Sequence, residues 1–343
     1  MTKSLQNFLK IAISLALGIA IIWLLYRKTD FKELMSIVRE SNLSIILFSL
    51  VFGLCGHIVR SLRWGVFLNS LGYRPNKVRL VLAMLGNYAV NFLIPRGGDI
   101  WRCAAVSRYE KIPFSKTLET FLVDKMVDFV TSAFLVLLSV ILYIDFFISY
   151  FRENPDYGNQ IIRLLNSPWL YVAIVAIVIG LVLMFTVFKN TRPVRKIYKF
   201  LNEILQDMKI IVRMKEKKQI LLYTILGWIC FYLFFYVCFY AFDFTKNLGP
   251  IAGLVVFSMC NVGILIPTQG GMGPWHFMAI SSLVILGVAY NQASAFAGAV
   301  FTIQSIWIIV FGALAILALP YVKRDVRQVP ESLNNNESMN LSK

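Results

Sequence analysis

The sequence predicts an all-α polytopic membrane protein: six full transmembrane helices and two re-entrant helical hairpins in an inverted-topology repeat. Plain hydropathy alone would count about eight hydrophobic segments. Three observations lead there. First, 58% of the 343 residues are hydrophobic and only 15% charged, with a mean hydropathy of +0.69. Soluble domains carry about 45–50% apolar and about 25% charged residues. The composition therefore excludes a pair of soluble domains, a disordered chain and a disulfide-stapled secreted module. Second, the net charge of +16 is distributed unevenly between connections. Third, two Pro-Gly-Gly segments about half a chain apart resemble each other.

Apolar runs lie at 11–26, 43–59, 78–94, 126–148, 169–188, 220–242, 251–267, 274–288 and 295–319. The runs 78–94, 251–267 and 274–288 are short and bounded by Pro or Gly. The first run has a basic start, but Tyr26-Arg27-Lys28 follows it instead of a small-residue cleavage site. It reads as a retained helix, not a signal peptide. Five basic residues and no acid occupy 60–79, six basic residues fall in 96–125, and ten in 189–218. Segment 149–168 holds two and 243–250 one. The positive-inside rule places the rich segments and both termini in the cytoplasm. That bookkeeping closes only if 78–94 enters from the cytoplasm and returns, and if 251–267 with 274–288 enters from outside and returns.

The membrane domain then covers 1–320, with a first inverted repeat in 1–150 and a second in 165–320. Residues 190–218 alternate apolar and basic positions at helical spacing, as an amphipathic helix on the inner leaflet does. Phe31, Leu34, Met35 and Val38 suggest a smaller amphipathic helix on the outer face. Residues 321–343 are polar and Asn/Ser-rich, the composition of a disordered cytoplasmic tail.

The two hairpin tips share Leu-Ile-Pro, a Gly-Gly pair and a Trp. The first contains Asn91, Pro95, Arg96, Gly97, Gly98 and Asp99; the second contains Pro267, Gln269, Gly270, Gly271 and Gly273. Proline removes a backbone donor and glycine allows a tight reversal. Such backbone at membrane depth is tolerated only inside protein or along a wet cavity. A pair of interrupted segments at matching places in two halves points to a transporter site.

Ionisable residues within spans are expensive and mark function by default. Arg60 and Arg63, three apart, share a helix face and either fork onto a lipid phosphate or snorkel to headgroups. Arg96 and Arg102 flank Asp99 at the first tip: either Arg96 and Asp99 pair and hold the hairpin shut, or the two arginines bind a headgroup phosphate while Asp99 orients one of them. Asp124 and Asp128, four apart, are candidates for proton coupling or for an internal salt bridge with Arg63 or Arg102. His276, beside the second tip, is a candidate proton relay; His57 lies at membrane depth. Asn87, Asn91, Asn261, Thr268, Gln269 and Gln304 suit a scaffold role, satisfying freed backbone groups. The five cysteines include no Cys-x-x-Cys and read as free thiols. No catalytic motif, metal-ligand set or cofactor loop is present in the sequence.

Four stretches resemble one family: HIVRSLRW at 57–64, NFLIPRGGDIWR at 91–102, LVDKMVD at 122–128 and PTQGGMGPW at 267–275. In this order and spacing they are similar to the lysylphosphatidylglycerol synthase transmembrane region, the flippase-like part of the multiple peptide resistance factor. The likeness spans roughly residues 5–320. The chain departs from the family at Asp124-Lys125, where Glu-Arg is common, and at Pro274-Trp275-His276, where an acid often follows the tip. The soluble aminoacyl-transferase domain of the full-length resistance factor does not follow the last span. The resemblance thus implies lipid movement without lysine transfer.

The expectation is a non-enzymatic flippase in the bacterial inner membrane, moving a phosphate-headgroup lipid such as an anionic phospholipid or a polyprenyl phosphate. Arg60, Arg63, Arg96 and Arg102 would bind the phosphate. A non-transporting accessory protein for a lipid or glycan enzyme is the alternative, and a membrane-embedded lipid-modifying enzyme a third reading. Partners beyond lipid would be a second copy or such an enzyme. The sorting of charge by membrane side argues against nucleic acid.

Overall fold

The computed structural model describes residues 31–153, 167–168, 215–266 and 268–322. The expected spans at 11–26 and 169–188, nearly all of the amphipathic segment 190–218, and the tail from 323 lie outside the described residues. The chain divides into two compact units, residues 1–139 with 216–343, and residues 140–215. Every regular element among the described residues is a helix.

The larger unit contains α1 (Phe31–Glu40), α2 (Leu43–Ser70), α3 (Lys77–Leu93), α4 (Gly97–Glu110) and α5 (Phe114–Leu142). After the second unit it resumes with α7 (Lys217–Tyr236), α8 (Pro250–Ile264), α9 (Pro274–Ile285) and α10 (Tyr290–Ala318). Between them, in the second unit, α6 (Ile144–Glu153) carries a stacked aromatic row, with the Tyr143 and Phe146 centroids 4.7 Å apart.

Among the described residues, four helices are long and apolar enough to cross a bilayer: Leu43–Ser70, Phe114–Leu142, Lys217–Ala241 and Tyr290–Tyr321. They coincide with four of the six expected crossings. The apolar run at 126–148 is drawn differently. The helix starts at Phe114, ahead of the run, because the charged residues at 124, 125 and 128 are paired inside the protein and so need not end it. It stops at Leu142, and α6 begins two residues later. Neither Gly nor Pro marks that break, so hydropathy runs through it. At 28 residues, α2 is about 42 Å long, well beyond a hydrocarbon core of about 30 Å. The surplus turns carry Arg60, Arg63 and Trp64. The smaller helix expected near residues 31–38 is present as α1, with Ile37 and Val38 packed against the main core.

Two helical hairpins lie between the long helices. In the first, Asn76 caps α3 by accepting hydrogen bonds from the Val78 and Arg79 amides. The chain reverses at Ile94–Gly97, where the Gly97 amide donates to the Ile94 carbonyl at 2.9 Å. Arg96 sits there at φ 62°, ψ −1°, the dihedrals of the third position of a type II turn that prolines such as Pro95 often precede. In the second hairpin the tip between α8 and α9 uses Gly270, Gly271 and Gly273, all at positive φ. Pro274 then opens α9, where no amide is needed.

The order long helix, hairpin, long helix thus occurs twice, and the contacts between the copies are crosswise. The helices that open each copy, α2 and α7, pack on each other, with the Phe231 and Phe234 rings against Gly56 and Gly53. The helix α10 closing the second copy packs on α3, where Gly312 faces Leu85 and Ala89. The helix α5 closing the first copy meets α8, where Ser258 Oγ donates to the Leu135 carbonyl at 3.4 Å.

Candidate functional site

The two tips touch. The Arg96 guanidinium donates to the Leu265 carbonyl at 3.0 Å, and the Phe92 ring lies so close over Gly270 that a Cβ there would sit 2.4 Å from it. Within the first tip, the Gly98 amide donates to Asn91 Oδ1 at 2.9 Å. Asn91 thereby satisfies a helix-start donor that would otherwise stand bare. A Cβ on Gly98 would fall 2.0 Å from the Asn87 carbonyl oxygen, so only glycine lets α4 lie directly on α3. At the second tip the matching approach is Gly263 of α8 against the Pro274 carbonyl of α9.

One turn after the tip, α4 enters a cluster of buried charges shared with α2 and α5. Arg63 Nε donates to Asp124 Oδ1 at 2.8 Å, and its Nη2 reaches Asp128 Oδ1 at 2.5 Å. Its Nη1 donates to Thr224 Oγ1 of α7 at 3.3 Å. Arg60 pairs with the other oxygen of Asp128 and donates to the Tyr88 hydroxyl at 2.8 Å. Asp128 is thus gripped by both arginines of α2, which the three-residue spacing puts on one face. Lys125 Nζ lies 3.3 Å from Asp99 Oδ1, joining α5 to α4.

Arg102 occupies the innermost position. It is 1% exposed, with its guanidinium carbon 4.4 Å from the Trp64 ring and 4.7 Å from the Phe121 ring. Its Nη2 is 3.6 Å from Asp124 Oδ2, near enough for charge attraction. Its Nε and Nη2 donate no hydrogen bond, nor does Arg60 Nε, although all three are buried. Buried donors in native proteins are almost always bonded, and an arginine fork fits two phosphate oxygens. In the same cluster Asp99 Oδ1 and Asp124 Oδ2 likewise accept no hydrogen bond.

Arg60, Arg63, Arg102, Asp99, Asp124 and Asp128 are therefore brought together, with ion pairs linking the arginines to Asp124 and Asp128, and Lys125 to Asp99. Arg96 is apart and exposed, at the tip junction. Asn91, Pro95, Gly97 and Gly98 form the first tip, and Gly270, Gly271 and Gly273 the second. Pro267 and the side chain of Gln269 lie outside the described residues. His276 packs on Phe301 with ring centroids 4.4 Å apart. His57 stands among Tyr88, Phe231 and Trp307, at the meeting of four helices.

Several members were not evident from the sequence. Tyr88 and Thr224 have no charge to attract notice, although Tyr88 is one residue from Asn87. Trp64 and Phe121 sit inside or beside the motif stretches, so proximity to the arginines in sequence was a usable signal. Arg79, counted from sequence as one more loop charge, is buried at the start of α3. It holds the Tyr109 carbonyl at 2.6 Å and Glu110 at 3.1 Å, closing the open end of the first hairpin. It also grips the Val322 carbonyl after α10.

A family model described as lysylphosphatidylglycerol synthase TM region matches residues 9–329. The chain is similar to a UPF0104 membrane protein of Methanothermobacter thermautotrophicus, 22% identical over 330 residues, which is 86% of this chain and 90% of the relative. A UPF0104 membrane protein of Methanocaldococcus jannaschii is 23% identical over 154 residues, 44% of this chain and 43% of the relative. No solved structure matches the chain.

Proposed function

Because the chain belongs to the lysylphosphatidylglycerol synthase transmembrane region family, we propose that this multi-pass membrane protein is a lipid flippase. In this reading it moves a phosphate-headgroup lipid between leaflets and catalyses no bond making or breaking. The two hairpins re-enter from opposite sides, and the two copies form an inverted repeat with both termini in the cytoplasm. Its site of action is the cytoplasmic membrane; the two relatives are archaeal, so the choice between a bacterial and an archaeal membrane does not come from them.

The observation that carries this reading is the position of Arg102. Its helix begins at the junction of the two tips, and its unbonded donors lie one turn further in, 3.6 Å from Asp124 at the nearest. The contact at Arg96 and Leu265 is the closed junction. A headgroup phosphate exchanges for carboxylate oxygens on Arg60 and Arg102 while the acyl or prenyl tails stay in lipid. Asp124 or Asp128, freed from an arginine by that exchange, is the acid that takes up a coupling proton, and His276 is a relay candidate beside the second tip. The crosswise packing of the copies supports a rocking motion of one against the other.

The saturated partners of Arg63 favour a second reading, a rigid accessory protein for a lipid or glycan enzyme. One assay separates the two. The purified protein is reconstituted into vesicles with tail-fluorescent phosphatidylglycerol, and movement is followed by quenching of the outer leaflet. Wild type is expected to move the lipid. An Arg96→Ala, Arg102→Ala double variant, shown folded by thermal melting, is expected to be slower by about tenfold or more, since each charged hydrogen bond is worth about 1.5–3 kcal/mol. Equal rates for the two proteins sink the proposed site, and no movement by wild type leaves the accessory reading.

A further inference from the structure

The cluster's charges do not cancel. Four cations, Arg60, Arg63, Arg102 and Lys125, face three carboxylates, Asp99, Asp124 and Asp128, across α2, α4 and α5. Among the described residues, one positive charge is left over. An uncompensated charge in a protein interior costs several kcal/mol, so the imbalance is itself a demand for a partner. Within this cluster three donors, Arg102 Nε and Nη2 and Arg60 Nε, make no hydrogen bond, against two acceptors, Asp99 Oδ1 and Asp124 Oδ2, that receive none.

We propose that this site selects headgroups with one net negative charge, a phosphodiester without an ammonium, matching the one cation that Arg60, Arg63 and Arg102 hold beyond Asp124 and Asp128. The proposal rests on the transport reading above. A monoanion neutralises the cluster and gives its two non-ester oxygens to the three free donors. A zwitterion brings an ammonium for which no spare carboxylate exists, and leaves the positive charge standing. A headgroup with an added phosphate monoester carries about 1.5–2 further negative charges near pH 7 and turns the surplus negative. Asp99 and Lys125 are the adjustable members. They pair with each other at 3.3 Å, so either can be changed without removing a partner from Asp124 or Asp128.

The test uses the full chain in vesicles at about pH 7 with three tail-fluorescent lipids: phosphatidylinositol, its 4-phosphate and phosphatidylcholine. Phosphatidylinositol is expected to move about tenfold faster than the other two, the difference that about 1.4 kcal/mol produces. Asp99→Asn, which raises the surplus by one, is expected to narrow the gap to the 4-phosphate. Lys125→Gln, which removes the surplus, is expected to narrow the gap to phosphatidylcholine. If the 4-phosphate or phosphatidylcholine moves as fast as phosphatidylinositol through wild type, the charge selection is overturned and transport stands. Unchanged selectivity in both variants also overturns it, because the balance then does not set the choice. If wild type moves none of the three, both the selection and the transport reading fall.

Discussion

Arg63→Ala is expected to destabilise the protein by about 3–5 kcal/mol, the cost of removing one partner from a buried ion pair. The magnitude follows from what is left behind. Asp124, whose side chain is 0% exposed, loses its shortest partner, and Asp128 loses one of its two arginines. The loss is expected as a lower thermal midpoint in detergent, followed by tryptophan fluorescence, with Trp64 one residue from the change. Adding Asp124→Asn removes the stranded charge and should restore part of the loss, because residues in one network couple by about 0.5–3 kcal/mol. A single variant as stable as wild type would mean that the cluster does not hold α2 to α5.

Gly98→Ala is expected to cost about 3 kcal/mol, the upper end of the range for overpacking. The added Cβ would stand 2.0 Å from the Asn87 carbonyl oxygen, a backbone atom of α3 that cannot rotate away. The first hairpin must open, which stretches the Asn91 bond to the Gly98 amide and shifts the start of α4. Because Arg102 is on that helix, lipid movement is expected to fall together with stability. Gly227→Ala is the matched control: the nearest atom is Val59 Cγ1 at 3.7 Å, an ordinary contact, and the position is mid-helix. It is expected to be neutral or to stabilise by up to about 1 kcal/mol. Comparable losses at both glycines would sink the close-approach account.

The two results bear on different kinds of sequence information. The two chain reversals were legible, because proline and glycine interrupt the apolar runs at Pro95–Gly98 and at Gly270–Gly273, although at the first tip the residue with positive φ is Arg96. The four described long helices were legible through their uninterrupted hydropathy. What joins the site together was not. The three- and four-residue spacings of Arg60 with Arg63, and of Asp124 with Asp128, place each pair on one helix face. Nothing in a single sequence says that the two faces meet, since the partners are more than sixty positions apart. Arg79 was read as a loop charge for the same reason: its partner Glu110 is 31 positions away, in another helix. The break at Leu142 escaped because both sides are apolar and aromatic, with neither proline nor glycine between them.

The central claim is that lipid passes when the two hairpin tips part, and a reversible lock tests it most directly. Cysteines at 96 and 265, introduced in a chain whose five native cysteines are replaced, can be joined by a short reducible bis-thiosulfonate bridge, since Arg96 and Leu265 are in hydrogen-bond contact. Because Arg96 is itself replaced, the comparison is within this variant: bridging is expected to stop its movement of fluorescent phosphatidylglycerol across the vesicle bilayer, and reductant to return it to the rate of the unbridged variant. Lipid movement at the same rate with the tips joined as with them free would contradict the account.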